Sequence, residues 1–213
     1  MEIQPTLDYL IENAIQLSPT EFKLGHLEIE VLITGIGILH TTFTLTDYLS
    51  DHRPDFWIQS GIGGAFDPTL EIGNVYVIKS EMLVGIGAEE KDGTLHSPFD
   101  LNWLDKNAFP YSDETLVCPE MPVKLDLPEA TGMTTLHSHG NVNTIETLRR
   151  NTHGQIENME GAAFFYVSLM KKIPFASIRS ISNLVEERNK EKWDFQKSIH
   201  TLNKEIIKMI HSL

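Results

Sequence analysis

The 213-residue chain has 41% hydrophobic residues and a formal net charge of −13; it is long enough for one sizeable domain, and no linker argues for two. That acidic balance speaks against nucleic acid or an anionic membrane as the main partner and favours a small-molecule ligand. The single Cys118 excludes an internal disulfide framework and suits a reducing cytoplasm, no apolar run approaches the roughly 20 residues of a membrane span, and the acidic start MEIQPTLDYLIE is unlike a signal peptide.

Ile3, Leu7, Leu10, Ile11, Ala14 and Ile15 recur at helical spacing, with Pro5 tolerable in the first turn. LEIEVLITGIG alternates as a strand, with Ile29, Val31 and Ile33 on one face, and ends at Gly35 and Gly37. Leu39, Phe43 and Leu49 predict a helix. FWIQSGIGGAF then reads as a short strand running into glycines, and NVYVIKSEMLVGIG as another β-rich run. The stretch 88–128, dense in Pro, Asp and Asn, reads as an excursion or a lid and not as a domain boundary. GMTTLH is a strand, a helix covers Ile145 to Asn151, and QIENME is a strand. A helix from Gly161 to Lys172, a strand from Phe175 to Ile181 and a last helix from about Trp193 to Ile210 complete the chain. The β-then-α alternation predicts an α/β fold with helices on both sides of a mixed sheet.

Ligands of such sheets sit at the carboxyl ends of strands. Three segments place glycine or small polar residues there: TGIG, SGIGGAF and SISN. Each alone is an ordinary strand exit. None has the phosphate-loop pattern and none continues as GxGxxG into a helix, so nucleoside triphosphates and dinucleotides have little support. Glu160 sits at a strand-to-helix junction, where a carboxylate gains roughly 0.3–1 kcal/mol from the helix N-terminus. That is a sufficient structural explanation. The functional alternative has Glu160 accepting hydrogen bonds from ligand hydroxyls while Met159 packs on an apolar ligand face, with small Gly161 and Ala162 letting the helix start press close.

ENMEGAA, followed about twenty residues later by RSISN and then by Trp193-Asp194, resembles the purine and uridine phosphorylase superfamily. Within it, the resemblance is closest to the futalosine hydrolase branch of nucleosidases, which SGIGGAFDPTLEIGNVYVI and VGIGAEEKDG also resemble; it runs from Glu2 to about residue 200. The resemblance implies a three-layer α/β/α sandwich around a central mixed, partly barrel-like β-sheet, a single domain, a homodimer and no cofactor or metal. It implies that Met159 packs against the ribose and Glu160 binds its 2′- and 3′-hydroxyls. Ile62, Gly63 and Gly64 would line the ribose and water side, Trp193 would lie near an aromatic that covers the base, and Arg179 would orient the glutamates. Glu2 matches the glutamate that activates the attacking water. Asn183, beside Ser182 in SISN, falls where adenine-specific relatives carry an aspartate facing purine N7.

The chemistry agrees with those roles. Breaking an N-glycosidic bond makes the ribose cation-like and the purine electron-rich; a carboxylate serves the first and a donor near N7 the second. A second carboxylate positions water on the opposite face of the sugar. An Asn183 amide donates towards N7 and towards a C6 carbonyl, which fits a 6-oxopurine such as the hypoxanthine of futalosine; adenine presents a donor at C6, which suits an acid. The plainer reading is that Asn183 caps a turn.

Relatives begin with a strand before the water-activating glutamate, whereas this chain starts at Met1-Glu2, so the reading expects a native start upstream with one more strand. His137 and His139 in HSH are two imidazoles on one face if the strand persists, too few for a metal site without a third ligand; the alternative is a base-proximal loop from His137 to Asn143. Three functions remain in view: a hydrolytic nucleosidase of a 6-oxopurine nucleoside (or of methylthioadenosine), a nucleoside phosphorylase, and a non-catalytic purine-nucleoside binder. A phosphorylase needs a pocket of arginines, and the N-terminal half offers only Arg53.

Overall fold

The computed structural model describes residues 2–91, 93–119, 121 and 123–213. Met1, and Asp92, Glu120 and Pro122 of the 88–128 excursion, lie outside them. Gln4–Asn13 forms helix α1, with Pro5 in its first turn where a missing N–H leaves no bond unmade. Three short antiparallel strands follow: β1 (Ile15–Gln16), β2 (Glu21–Leu24) and β3 (Leu27–Glu30).

The predicted strand over LEIEVLITGIG is therefore only half formed. Leu27–Glu30 pairs with β2, while 31–35 joins no ladder. An extended run needs a neighbour to take its backbone hydrogen bonds, and among the described residues no strand pairs with this one. Val31 is buried and Ile33 exposed, so the common face the alternation predicts is split.

Helix α2 (Gly37–Asp51) forms where Leu39, Phe43 and Leu49 predict it, but it buries Thr41 and Leu45. Leu39 and Phe43 point outward, 83% and 71% exposed. Strand β4 (Trp57–Ala65) contains the glycines of SGIGG instead of ending at them, and β5 (Val75–Leu83) follows. The 88–128 excursion holds a small hairpin, β6 (Ala88–Glu89) with β7 (Leu95–His96). Its second pair, β8 (Tyr111–Ser112) and β9 (Thr115–Val117), extends the main sheet from β5 and places Leu116 and Cys118 in the core. That half is sheet edge and not lid.

Strand β10 (Glu129–Thr134) ends before the HSH segment. Asn141 then caps helix α3 (Val142–Asn151), its side-chain oxygen accepting from the Asn143 and Thr144 amides. Strand β11 (Ile156–Asn158), helix α4 (Gly161–Lys171) and strand β12 (Phe175–Leu184) come next; SISN lies inside β12 and not beyond it. A 3₁₀ turn (Lys190–Lys192) leads to helix α5 (Phe195–Ser212), capped by Asp194, which accepts from the Lys197 amide at 2.8 Å.

The main sheet runs β10-β11-β4-β12-β5-β9-β8, and β10 also pairs with β5, so five strands close into a barrel-like ring. It is mixed: β12 lies parallel to β4 and antiparallel to β5. On β5, Val75 and Val77 meet Leu10 of α1 and Leu202 and Met209 of α5, whereas Tyr76 and Ile78 join Leu45 of α2 and Phe164 and Phe165 of α4. Period-two alternation thus serves both faces of the sheet, and the fold is the three-layer α/β/α arrangement expected. A fully buried Phe165 or Phe175 contributes about 1.5–3 kcal/mol.

Candidate active site

The start of α4 carries the first acid. Glu160 occupies the N-cap position, yet its own side chain does not cap the helix. Asn158 does so, its Oδ1 accepting from the backbone N–H of Glu160 at 3.0 Å and of Gly161 at 2.6 Å. The Thr134 hydroxyl oxygen accepts the next amide, Ala162, at 2.7 Å. Three of the four orphan donors of the helix start are thereby satisfied from outside it, and the Glu160 carboxylate is released to point elsewhere. Gly161 is required there: a Cβ would fall 2.3 Å from Glu81 Oε2 and 2.9 Å from Asn158 Oδ1.

Glu160 Oε1 accepts the amide of Gly37, the first residue of α2, at 2.8 Å. Gly37 has φ +82°, which an L side chain rarely adopts, so the glycine sets the direction of that N–H. Met159 is half-buried between β11 and Glu160. TGIG and ENME therefore meet in one place, the N-terminal ends of α2 and α4.

Glu2 supplies the second acid. Its Oε2 accepts the Ile62 amide on β4 at 3.0 Å. Its backbone carbonyl accepts from Asn203 of α5 at 2.7 Å, and Asn203 Oδ1 also accepts from the Thr6 amide at 3.0 Å. A residue one position from the chain start is thus pinned at both its carboxylate and its backbone. Glu2 keeps exposed surface as a residue, yet its carboxylate is crowded by protein, and that desolvation raises its pKa above the ordinary carboxylate value. The Ile62 hydrogen bond and the charge of Arg179 pull the other way, and Glu160 adds to the rise. Arg179 is 2% exposed on β12, opposite Gly61 of β4. A Cβ on Gly61 would lie 3.3 Å from Glu2 Oε2 and 3.4 Å from Arg179 Nη1, so acid and guanidinium flank the same glycine.

Asn183 lies four residues further along β12, roughly 10–13 Å from Arg179. Its Oδ1 is 2.8 Å from the Ser182 hydroxyl, which also reaches the Gly63 carbonyl at 3.1 Å. One Asn183 N–H donates to the Leu184 carbonyl at 2.9 Å, leaving the amide one further donor. Gly63 backs onto Ile156 and the Glu157 carbonyl, and Gly64 onto Val185 and Asn183. Trp193 joins this end through the chain: the Asp194 amide donates to the Ser182 carbonyl at 2.9 Å, and the indole stacks under the Arg188 guanidinium, 5.2 Å from the ring centre. Glu2, Ile62, Arg179 and Glu160 thus form one group, while Ser182, Asn183, Gly63, Gly64 and Trp193 form the adjoining end of the same strands.

His137 and His139 are loop residues, because β10 stops at Thr134. His139 Nδ1 pairs with the buried Glu157 carboxylate, which also accepts the His139 amide at 3.2 Å. No group of three His, Cys, Asp or Glu suited to a metal ion occurs among the described residues. Sequence reasoning missed Gly37 as a carboxylate donor, and it missed Asn158, Thr134, Glu81 and Asn203 altogether. Only Asn158 carries a local signal, a cap residue three positions before a glycine that opens an apolar run.

A sequence profile described as the Phosphorylase superfamily matches residues 15–213. A futalosine hydrolase of Thermus thermophilus is 25% identical over 183 residues, covering 84% of this chain and 80% of its own. A 5'-methylthioadenosine/S-adenosylhomocysteine nucleosidase of Shewanella loihica is 28% identical over 198 residues, covering 85% of this chain and 83% of its own. Among solved structures, the futalosine hydrolase of Helicobacter pylori superposes with a TM-score of 0.78 at 21% identity, over 100% of this chain and 94% of that one. At that identity the likeness speaks for the fold.

Proposed function

The chain belongs to the phosphorylase superfamily, and from that premise we propose that it is a hydrolytic nucleosidase of a 6-oxopurine nucleoside, cleaving futalosine to hypoxanthine and dehypoxanthine futalosine in menaquinone biosynthesis. The observation that carries this reading is the division of the site into an acidic end, Glu2 and Glu160 around Arg179, and a neutral amide end at Asn183. Glu160 accepts the ribose hydroxyls and offsets the positive charge that develops on the sugar. Glu2 takes a proton from water as its oxygen attacks the anomeric carbon, and a carboxylate whose pKa is raised is the better base for that task. The bond to the purine breaks as the pair of electrons moves onto the base, whose N7 the free Asn183 N–H meets; the base takes a proton from solvent to leave as hypoxanthine, and Glu2 returns its proton to solvent. Met159 and Ile62 bound the sugar, and Trp193 lies beside the base end.

Two further features support details of the reading. Arg53 lies past the C-terminal end of α2, and that fifteen-residue helix spans about 22 Å from Gly37, so the arginine is far from Glu160 and gives a phosphate pocket no support. Ile36, Leu39 and Phe43 form an exposed apolar face at the start of α2, 74%, 83% and 71% exposed, which fits burial in a homodimer. No helix among the described residues is long and apolar enough to cross a membrane, and a cytoplasmic location is part of the same reading. Methylthioadenosine is the second reading, favoured by relatives such as that of Shewanella loihica.

The test is release of free base from futalosine, inosine and methylthioadenosine, each with and without inorganic phosphate. Release from futalosine at the same rate without phosphate, yielding the free sugar, is expected. A requirement for phosphate, with a sugar phosphate as product, would replace the hydrolase by a phosphorylase; binding of hypoxanthine with no cleavage would leave the non-catalytic binder.

A further inference from the structure

Glu81 stands on β5 with 0% exposure, and the reaction outlined above gives it no task. Its seat is cut into two neighbouring elements: a Cβ added at Gly132 of β10 or at Gly161 of α4 would fall 2.0 or 2.3 Å from Glu81 Oε2. Its Oε1 accepts two hydrogen bonds, from the Thr134 hydroxyl at 2.8 Å and from the Asn158 side-chain amide at 3.0 Å. Oε2 has no partner among the described residues. A buried carboxyl is among the costliest groups to keep in a core, and an apolar side chain would fill a β5 position more cheaply.

What Glu81 holds is specific. Asn158 and Thr134 are the two residues whose oxygens accept the backbone N–H groups of Glu160, Gly161 and Ala162. Their donor atoms converge on a single carboxyl oxygen, so three consecutive amides of the α4 start hang from Glu81 through two side chains. Two charged groups face it: Arg179 from β12, which lowers its pKa, and Glu160 from the α4 start, which raises it. Burial outweighs the Thr134 hydrogen bond and the arginine and pushes the pKa up to about 7, so below that pH Glu81 performs this task without adding a second negative charge behind Glu160.

We propose that Glu81 is a positioning residue for Glu160, fixing through Asn158 and Thr134 the first turn of α4 and hence the direction in which the Glu160 carboxylate meets the sugar. The proposal rests on the reading of Glu160 as the ribose-binding acid. Glu81→Met fills the seat with a side chain of similar length and no strong acceptor, whereas Glu81→Gln keeps an oxygen for both donors. A small misplacement of a substrate-binding group costs up to about 100-fold, so Glu81→Met is expected to lose roughly 10- to 100-fold in kcat/KM for the nucleoside. Affinity for free hypoxanthine, which never meets Glu160, should stay within about twofold, and Glu81→Gln should recover to within about fivefold of the parent. If Glu81→Met does not fold, Thr134→Val breaks one of the two links in a near-isosteric way and should give the same split between nucleoside and base. Parent-like hydrolysis in the folded variant, or parallel loss of nucleoside and base affinity, overturns the proposal. The parent in the same series guards the reading beneath it. A parent that cleaves no nucleoside refutes the nucleosidase reading, and the Glu81 variants are then judged on equilibrium binding of nucleoside against base, where the same split is required.

Discussion

The Glu160 carboxylate accepts the Gly37 amide at 2.8 Å, which ties the N-terminal end of α4 to that of α2 across the face of the sheet. The acid is thus aimed by a glycine whose φ of +82° orients the donor. Gly37→Ala forces a side chain into that conformation at about 1–3 kcal/mol. We expect a lower Tm and a rise in KM for the nucleoside of about tenfold, as the carboxylate loses its fixed partner. Steady-state kinetics with an unchanged KM would show that this hydrogen bond does not aim the acid.

Glu160 itself is expected to matter far beyond its position at a helix terminus. Glu160→Gln preserves shape and one acceptor but removes the charge facing the sugar, so turnover should fall on the order of 100-fold or more. The helix-terminus contribution of roughly 0.3–1 kcal/mol limits the accompanying loss of stability. A variant that melts and turns over like the parent returns Glu160 to a structural role.

Glu2 predicts the acid limb of the pH profile. A base works only when ionised, and burial raises the Glu2 pKa above 4.5, so kcat/KM should fall on acidification with a midpoint above that value. Glu2→Gln should remove both the activity and the limb. A limb that persists in a variant with residual activity assigns the titration to another group.

Glu81 predicts the opposite dependence for stability. Its folded pKa of about 7 exceeds the ordinary 4.5, so folding favours the protonated form. The contribution is fully present below 4.5 and is lost as pH rises through about 7. The Tm of Glu81→Gln relative to the parent should therefore climb by roughly 5 °C or more between pH 5 and 8. A difference that stays flat with pH indicates that Glu81 does not titrate in this window.

The parts of this molecule that were legible in the sequence are those whose signals are local. Helix α4 and strand β12 announce themselves by apolar runs with clear breaks; Met159 and Glu160 stand just before the first turn of α4, and Asn183 near the C-terminal end of β12. Alternation over LEIEVLITGIG misled because a period of two reports a suitable strand and not the presence of a neighbour to pair with. Leu39 and Phe43 misled in the same way: helical spacing locates a helix, but Thr41 and Leu45 are the residues that α2 buries. Nothing local in the sequence reveals what holds Glu2, because its anchor, Asn203, lies 201 residues away. Glu81 reads as an ordinary polar position in a β-rich run until β10 and α4 close over it.

Asn183 is expected to set the choice of base. Replacing it by Asp exchanges a neutral donor for an acid, and loss of a well-aimed donor typically costs ~2.7–4 kcal/mol in the transition state. Futalosine hydrolysis by Asn183→Asp should drop accordingly while action on methylthioadenosine is retained or gained. Hydrolysis of futalosine at the parent rate by this variant removes Asn183 from the base contact.

The most direct single measurement is the ratio of kcat/KM for futalosine to that for methylthioadenosine, taken on the parent chain in phosphate-free buffer. The account predicts a ratio well above one, since the single Asn183 N–H left free beside Leu184 can be shared between the N7 and C6 acceptors of hypoxanthine but meets a donor at C6 of adenine. A ratio below one would contradict the 6-oxopurine reading and assign the acidic site around Glu2, Arg179 and Glu160 to an adenine nucleoside.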